Sequence, residues 1–313
     1  MQIVNYFVSV IVPNYCHAKY LDQRIQSILN QTYQNFELII LDDCSPDDGA
    51  SKAMIEKYRS NPHVSHIVYN EQNSGSTFKQ WDKGISLAKG DLIWIAESDD
   101  FCEPTLLEVL VKEFQRDNNL VLASVLLQMV DSNGDKIVIR SFHPWWTTRL
   151  EGKNFARRYM TKGSILANAS GIVFKKTAAL QIDPIYKSFK AGGDYLFWLQ
   201  IALKGNVALV NKKMNYFRQH PQKVTGNSSR QGFNMRESFT SKNFLISHLP
   251  MSNFRRQIVE EFQIYQVHTL HFVNEEIRCN LIKDFNLPDR LSLWIRLKIR
   301  TLVLLQNRLG LYL

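Results

Sequence analysis

Three carboxylates follow an apolar stretch that has the length of a β-strand. Residues 92–104 (LIWIAESDDFCEP) begin with five largely apolar side chains and then place Glu97, Asp99 and Asp100 within four positions. Carboxylates this close repel one another, and a turn needs at most one of them. A hard divalent cation with oxygen ligands would remove the repulsion. The spacing therefore indicates a divalent metal site.

Other polar side chains also come at the ends of apolar segments. The segment PNY at residues 13–15 follows the first, Asp42 and Asp43 follow the second, and Asp194 begins an apolar helical segment. Each acid has a structural alternative: Asp42 and Asp43 with Ser45 would form a turn and cap a helix, and Asp194 would cap its own helix. Both interpretations stay open from these residues alone.

Short apolar segments alternate with amphipathic ones through the first half of the chain. We predict strands at residues 7–12, 36–41, 64–69 and 91–96, and helices at residues 18–30, 48–59, 77–89 and 104–116. Such alternation is typical of βαβ units and of a mainly parallel sheet covered on both faces. Because ligands bind beyond the carboxyl ends of such strands, we expect the acidic clusters at a ligand-binding edge.

The second half of the chain has a mixed pattern followed by a helical one. We predict strands at residues 120–130, 136–141, 170–175 and 206–210 and a helix at 194–204, and we interpret them as the second half of one domain. The remaining pattern is helical and more basic. The expected organisation is an α/β domain over residues 1–235 and a helical C-terminal region over residues 236–313.

The composition narrows the possible functions. The chain has 313 residues, with 38 Lys and Arg against 29 Asp and Glu and a net charge of +9, which could favour phosphates, nucleic acid or an acidic membrane. The basic residues are spread out and no nucleic-acid-binding module is present, so we expect no nucleic-acid partner. P-loop and dinucleotide glycine motifs are absent, so phosphate binding must depend on a metal and on loops.

The cysteines and the N-terminal residues indicate a cytoplasmic location. The four cysteines are far apart and form no C-x-x-C pair, so we expect reduced thiols rather than a zinc site or a disulfide framework. The N-terminal segment lacks the features of a signal peptide. We therefore expect a cytoplasmic protein without a spanning helix.

In order and spacing, these motifs resemble those of the family 2 glycosyltransferases, which are inverting enzymes with the GT-A fold. The resemblance covers roughly residues 7–226 and runs through VSVIVPNYCHAKYLDQRIQSILNQTYQNFELIILDDCSPDD, NSGSTFKQWDKGISLAKGDLIWIAESDDFCEP, GGDYLFWLQIALKG and NYFRQHPQKVTG. It implies the GT-A fold, a Rossmann-like mixed sheet flanked by helices, here with a C-terminal helical extension. It also implies sugar transfer from a nucleotide donor to a hydroxyl acceptor.

The resemblance implies a nucleotide pocket at the first two strands. Pro13 and Tyr15 would border this pocket, and Asp43, with Asp42 beside it, would hydrogen-bond the base. A carboxylate that accepts from an imino N–H suits uracil or thymine and also guanine, so a UDP-sugar is the favoured donor. Lys79, in NSGSTFKQWDKG, would pair with phosphate or lie on a solvated helix face.

The segment ESDD at residues 97–100 is similar to the D-x-D metal site of the family. By that similarity Asp99, followed by Asp100, binds Mn²⁺ or Mg²⁺, which would bridge the diphosphate of the donor. Glu97 is one methylene longer than Asp and would reach the ribose or the metal. Arg218 and His220 resemble a late Arg-x-His that touches the diphosphate or completes the metal shell; His220 is alternatively a structural histidine.

The segment GGD at residues 192–194 stands where many members have Glu-Asp. Asp194 would then be the general base that deprotonates the acceptor hydroxyl as it attacks the anomeric carbon, with inversion. Gly193 stands where those members have an acid, so the resemblance leaves one acceptor contact open but not the base. Residues expected on the acceptor side are Trp145, Trp146, Arg157 and Arg158.

The segment 291–313 is basic and contains no acid. Its charged residues are Arg296, Lys298, Arg300 and Arg308. Two interpretations are open: an interfacial helix on an anionic membrane, which we favour, or a helix packed on its own domain or on a partner. With the resemblance, the first would bring the protein to the inner face of the cell membrane, near lipid-linked acceptors of surface-polysaccharide synthesis.

Two other functions stay open. A sugar nucleotidyltransferase has a related sheet, but it usually carries a glycine-rich basic loop after the first strand, and PNYCHAKY contains no glycine. A catalytically silent, membrane-associated scaffold would be expected to lose Asp99 and Asp194, and both are present.

Overall fold

The structure is a computed structural model that describes residues 4–138, 146–161, 163, 165–166, 168–220 and 231–309. The strands in this part of the chain are β1 (Val8–Asn14), β2 (Phe36–Asp42), β3 (Val64–Tyr69), β4 (Leu92–Ile95), β5 (Phe101–Cys102), β6 (Leu120–Val130), β7 (Thr148–Glu151), β8 (Ile172–Lys175) and β9 (Asn206–Arg218). The α-helices are α1 (Ala18–Leu29), α2 (Ala50–Glu56), α3 (Thr77–Leu87), α4 (Leu106–Arg116), α5 (Gly152–Tyr159), α6 (Lys176–Ala179), α7 (Gly193–Ala202), α8 (Phe233–His248), α9 (Asn253–Thr269), α10 (Glu275–Asp284) and α11 (Leu293–Leu309).

One mixed sheet contains all of these strands. Its order is β3-β2-β1-β4-β8-β6-β9-β5, and β7 also pairs with β9. The first four strands run parallel, whereas β8 lies antiparallel between β4 and β6. Strands from both halves of residues 1–235 therefore share one sheet. The predicted α/β class, a mixed sheet flanked by helices, is confirmed.

Alternate residues of the central strands face two different cores. On β1, Val10 and Val12 pack with residues of α1 and α4, and Ile11 packs on the other face with residues of α3 and α7. Successive side chains of a strand point to opposite faces, so a strand between two helical layers must be apolar at nearly every position. This requirement explains the continuous apolar segments of the sequence.

The prediction of a strand at residues 136–141 is wrong over its described part. Residues 136–138 contain one isolated bridge, between Val130 and Lys136, and 139–141 lie outside the described residues. The chain reverses just before this bridge: Asp131 accepts backbone hydrogen bonds from Asn133 and Asp135 and forms a tight turn. Over residues 136–138 the chain pairs through this one bridge, so these described residues form no strand.

The C-terminal region consists of helices α8 to α11. Helix α8 begins at Phe233, so the expected domain boundary at residue 235 falls inside it, and Leu245 of α8 joins the core on one face of the sheet. The division at residue 235 stays a prediction. Among the described residues, none of the helices combines the length and the apolar character that a membrane span requires.

Candidate active site

A cavity of about 570 Å³ opens where β1, β2 and β4 end, within the usual size range of ligand pockets. The predicted site residues that line it are Pro13, Tyr15, Asp43, Glu97, Asp99 and His220. The predicted site residues outside its described lining are Asp42, Lys79, Asp100, Asp194 and Arg218. The strand ends thus bring together residues that are far apart in sequence.

Asp43 is buried in the cavity wall and is held by hydrogen bonds. Its Oδ1 accepts from Asn70 Nδ2, Ser74 N and Gln80 Nε2 at 2.6, 2.9 and 2.8 Å. Its Oδ2 accepts from the Ser74 hydroxyl at 2.7 Å. A carboxylate oxygen has two lone pairs, so Oδ2 keeps acceptor capacity for one further donor, such as a base N–H.

Asp42 has a different role from its neighbour. It accepts hydrogen bonds from Ser45 N at 3.0 Å, from Ser45 Oγ at 2.7 Å and from Asn14 Nδ2 at 2.7 Å. Ser45 Oγ in turn accepts from the backbone N–H of Cys16, whose φ is 57°. Asp42 therefore stabilises the turn after β2 and, through Ser45, the left-handed turn after β1.

A cluster of two histidines and one acid lies on one side of the cavity. His17, Asp99 and His220 each offer a ligand atom within 4.8 Å of the other two. The Nε2 atom of His220 is 3.0 Å from Oδ2 of Asp99, and the Nδ1 atom of His17 is 2.9 Å from Oγ of Ser98. Nitrogen and carboxylate oxygen atoms in this arrangement can bind a divalent cation.

His17 is the residue that the sequence interpretation missed at this cluster. It directly precedes α1, and its ring centroid is 5.2 Å from that of His220, although 203 positions (220 − 17) separate them in sequence. A lone histidine in a loop has no periodicity or motif that marks it. Its position directly after β1, at the same sheet edge as the acids, is the signal that was available.

Burial and mutual repulsion raise the pKa values of two acids in the ESDD segment. Burial, with Asp99 nearby, raises the pKa of Glu97 to about 8, and burial with the same neighbour raises the pKa of Asp100 to about 6. The buried guanidinium of Arg24 partly offsets this effect. Additional positive charge would stabilise all three carboxylates, so the electrostatics and the oxygen and nitrogen donors both fit a divalent cation.

Asp100 and Arg218 support this segment from behind. Asp100 accepts hydrogen bonds from Asn168 Nδ2, Ser170 Oγ and the backbone N–H of Arg218. The guanidinium of Arg218 is buried, donates to the carbonyl of Asp99 at 2.8 Å and packs over the ring of Tyr20. Its donors are thus directed at protein atoms, which suits a residue that positions Asp99.

Asp194 lies in the first turn of α7, beside a loop that lines the cavity. Burial, with a smaller contribution from Glu237, raises the pKa of Asp194 to about 6, although the hydrogen bond from the backbone N–H of Tyr195 opposes the rise. Lys190 and Ala191 of the preceding loop line the cavity. The base predicted from the resemblance is therefore close in sequence to the cavity wall.

Glu237 of α8 holds the loop before Asp194, and the sequence interpretation did not identify it. Its carboxylate accepts from the backbone N–H groups of Lys190, Ala191 and Gly192 at 2.5, 3.1 and 2.6 Å. A Cβ at the next residue, Gly193, would lie 2.7 Å from the ring of Phe78, so only glycine fits there. An acidic side chain at position 193, as in many family members, would therefore not fit in this chain.

The remaining predicted residues that the structure describes do not belong to the cavity lining. Lys79 is exposed on α3 and donates to the carbonyl of Ser74 at 2.9 Å, so its phosphate role stays a prediction. Arg157 donates to the carbonyl of Pro250 at 3.0 Å, and Trp146 is largely exposed. Trp145 lies outside the described residues.

Comparison with known sequences identifies related proteins. The sequence model described as "Glycosyl transferase family 2" matches residues 9–179, which is more than half of the chain. Glycosyltransferase GlyG of Streptococcus pneumoniae is 35% identical over 118 residues, which are 37% of this chain and 38% of GlyG. Chondroitin synthase of Escherichia coli is 32% identical over 130 residues, which are 42% of this chain and 18% of the synthase. The chain spans less than two-fifths of the length of either relative.

Among solved structures, that of S. aureus TarS 1–349 in complex with UDP-GlcNAc superimposes with a TM-score of 0.70. The superposition covers 98% of this chain and 89% of the TarS chain at 17% sequence identity. At this identity the likeness concerns the fold alone. It confirms the predicted GT-A fold.

Proposed function

Because the chain belongs to glycosyl transferase family 2, and is thus a glycosyltransferase, we propose that it is a metal-dependent, inverting enzyme that uses a nucleotide sugar, preferably a UDP-sugar. The proposed acceptor is a hydroxyl of a glycan or a lipid-linked molecule in cell-surface polysaccharide synthesis. The observation that carries the proposal is the cavity at the ends of β1, β2 and β4, with Asp43 at one wall and Asp99 at another.

The donor assignment rests on the surroundings of Asp43. The free acceptor capacity of its Oδ2 suits the imino N–H of uracil, and Tyr15, which is 44% exposed, offers an aromatic surface at the same cavity. Pro13 lies beside them. The TarS complex with UDP-GlcNAc, a protein of the same fold, adds support for a UDP-sugar.

We assign the cation site to Asp99 and His220, with Glu97 close by. A bound Mn²⁺ or Mg²⁺ would neutralise the diphosphate and make it a better leaving group. Asp100 and Arg218 hold the Asp99 segment in position, and Asp42 holds the loops that border the nucleotide. We propose Lys79 as an additional phosphate contact.

Asp194 is the proposed general base. Its carboxylate takes the proton of the acceptor hydroxyl, the hydroxyl oxygen forms a bond to the anomeric carbon, and the bond from that carbon to the diphosphate oxygen breaks. The nucleoside diphosphate leaves with the bonding electrons. A pKa of about 6 leaves Asp194 ionised at neutral pH and still basic enough to accept a proton.

The donor assignment predicts metal-dependent release of a nucleoside diphosphate. Purified full-length protein is incubated with UDP-, GDP- and dTDP-sugars and Mn²⁺, and the released nucleotide is measured by chromatography. We expect slow release of UDP from at least one UDP-sugar, because water can replace the missing acceptor, and no release after addition of EDTA. If none of these donors binds or reacts, the proposed function is wrong.

We further propose that α11 lies on the inner surface of the cell membrane. One face of α11 packs on α9 through Ile299 and Leu302, and Lys298 pairs with Glu261 at 2.7 Å. Large apolar side chains that stay exposed on α11 are Leu293, Trp294, Leu297 and Leu304. Arg296 and Arg300 are exposed beside them, and this combination suits an anionic lipid surface.

Sedimentation with vesicles tests this location. Wild-type protein is expected to sediment with vesicles that contain phosphatidylglycerol and much less with neutral vesicles. The double variant Trp294→Ser, Leu297→Ser should bind at least about tenfold more weakly, because each side chain loses apolar contact worth roughly 1 kcal/mol or more. Val273→Ser, another exposed apolar side chain, is the matched control. Equal binding by the double variant and the control would exclude α11 as the contact.

A further inference from the structure

We propose that His17 is a third protein ligand of the cation. The site then holds two imidazole nitrogens and one carboxylate oxygen, and it selects first-row transition metals such as Co²⁺ and Mn²⁺ over Mg²⁺. This inference rests on the proposed function only in assuming that Asp99 and His220 face a cation. It adds a ligand from the loop after β1, a loop that the resemblance connects with the nucleotide alone.

The geometry of the three side chains carries the proposal. Their candidate ligand atoms all lie within 4.8 Å of one another, so one ion between them can reach all three with small side-chain movements. Asp99 Oδ2 and His220 Nε2 are already 3.0 Å apart. The rings of His17 and His220 are nearly perpendicular, with centroids 5.2 Å apart, so they approach the same space from different directions.

The ring of His17 is held by a hydrogen bond of the kind that orients metal-binding histidines. Ser98 Oγ lies 2.9 Å from Nδ1, and we assign Nε2 to the cation. Histidines that bind metals commonly make such a bond through the second nitrogen, which sets the tautomer and the ring orientation. Ser98 also directly precedes Asp99, so the same short segment supplies one ligand and orients another.

A left-handed backbone conformation at Cys16 places His17 beside the ESDD segment. Cys16, just before it, has a φ of 57°, a left-handed conformation that side chains other than glycine rarely adopt. The hydroxyl oxygen of Ser45 accepts a hydrogen bond from the backbone N–H of Cys16 at 2.9 Å, and the same hydroxyl donates to the carboxylate of Asp42. This arrangement turns the chain so that His17 faces the ESDD segment instead of continuing along β1.

The donor atoms determine the class of metal. Mg²⁺ prefers oxygen ligands in an octahedral shell and keeps several waters, whereas imidazole nitrogen suits the later first-row metals. For such a site affinity rises from Mn²⁺ to Co²⁺. The chain should therefore bind Co²⁺ most tightly of these three ions, then Mn²⁺, and Mg²⁺ most weakly.

Titration calorimetry of the full chain with Co²⁺, Mn²⁺ and Mg²⁺, each without nucleotide, tests the proposal. His17→Ala and His17→Gln should each weaken Co²⁺ binding by about tenfold or more, since each removes a nitrogen ligand. Gln removes the imidazole nitrogen but keeps a polar side chain that can support the loop. Weak Co²⁺ binding in this variant is therefore due to the lost ligand and not to a disturbed loop. His271→Ala, which removes an exposed histidine of the C-terminal region, is the matched control and should bind Co²⁺ like the wild type.

The outcomes separate this inference from the proposed function. Unchanged Co²⁺ affinity in both His17 variants, or Mg²⁺ binding as tight as Co²⁺ binding in the wild type, overturns it. UDP binding in the presence of Mn²⁺ is measured on the same samples. If UDP binds and His17 is unimportant for the metal, this inference fails and the proposed function stands. If Co²⁺ binding depends on His17 but no nucleotide binds, the proposed function fails and this inference stands.

Discussion

Replacement of Asp194 by Asn lowers kcat by about 10²–10⁴-fold, the usual contribution of a general base, and leaves nucleotide binding unchanged. The amide cannot take the proton of the acceptor hydroxyl, whereas the cavity walls that would hold the nucleotide are untouched. Turnover is measured with the donor found active, and binding is measured by calorimetry with UDP and Mn²⁺. Asp289→Asn, an exposed acid near the C-terminal helices, is the control. Equal loss of nucleotide binding and turnover would contradict the assignment of Asp194 as the base.

The pH profile sharpens this test. A general base must be ionised, so kcat/KM should fall about tenfold per pH unit below about pH 6, where Asp194 becomes protonated. Burial is the main cause of the raised pKa of Asp194 and Glu237 is the smallest one, so Glu237→Gln should move this acidic limb only slightly to lower pH. A variant that only loosened the loop would lower activity at every pH without moving the limb.

Replacement of Asp99 by Asn abolishes metal-dependent nucleotide binding. The variant removes the negative charge of the proposed ligand and leaves a side chain of nearly the same size. Mutation of residues that only orient metal ligands typically lowers metal affinity by roughly 10–100-fold. Loss of a direct ligand should therefore lower the affinity for Mn²⁺ by at least this factor. UDP affinity is measured by calorimetry with Mn²⁺ and again with EDTA, beside Asp289→Asn as the control. UDP binding at wild-type affinity with Mn²⁺ in the variant would exclude Asp99 as the ligand.

The two variants should fail in opposite ways. Asp194→Asn is expected to bind the nucleotide and not to turn over, whereas Asp99→Asn is expected not to bind it. Thermal unfolding of both variants, compared with wild type, shows whether either fold is disturbed. This contrast separates a base from a metal ligand more clearly than the loss of activity alone.

The parallel half of the sheet could be predicted because its signals are local. Strands β1, β2 and β4 are largely apolar, β3 is a more polar segment of strand length, and an amphipathic segment follows each of them. The insertion of β8 between β4 and β6 has no such signal, because it depends on pairing between residues far apart in sequence. Strand β9 extends beyond the predicted end at 210 because polar residues in its second half, including the exposed Lys213, also pair with β6.

The candidate site was predictable where residues occur in a recognisable motif. The resemblance identified Asp43 and Asp99, and the structure brings both to one cavity. His17 and Glu237 each contact residues that are distant in sequence: His17 contacts Ser98 and His220, and Glu237 contacts the loop before Asp194. For His17 the available sequence signal was its position directly after β1, and Glu237 has no comparable signal, so the partners of both residues were identified from the folded chain.

A crystal structure of the full chain grown with UDP and Mn²⁺, with manganese located by anomalous scattering, tests the proposed function most directly. We predict an anomalous peak within bonding distance of Asp99 and His220, with the diphosphate of UDP beside it and the uracil at Asp43. A manganese peak away from Asp99, or UDP bound outside the cavity at the ends of β1, β2 and β4, would contradict the proposed function.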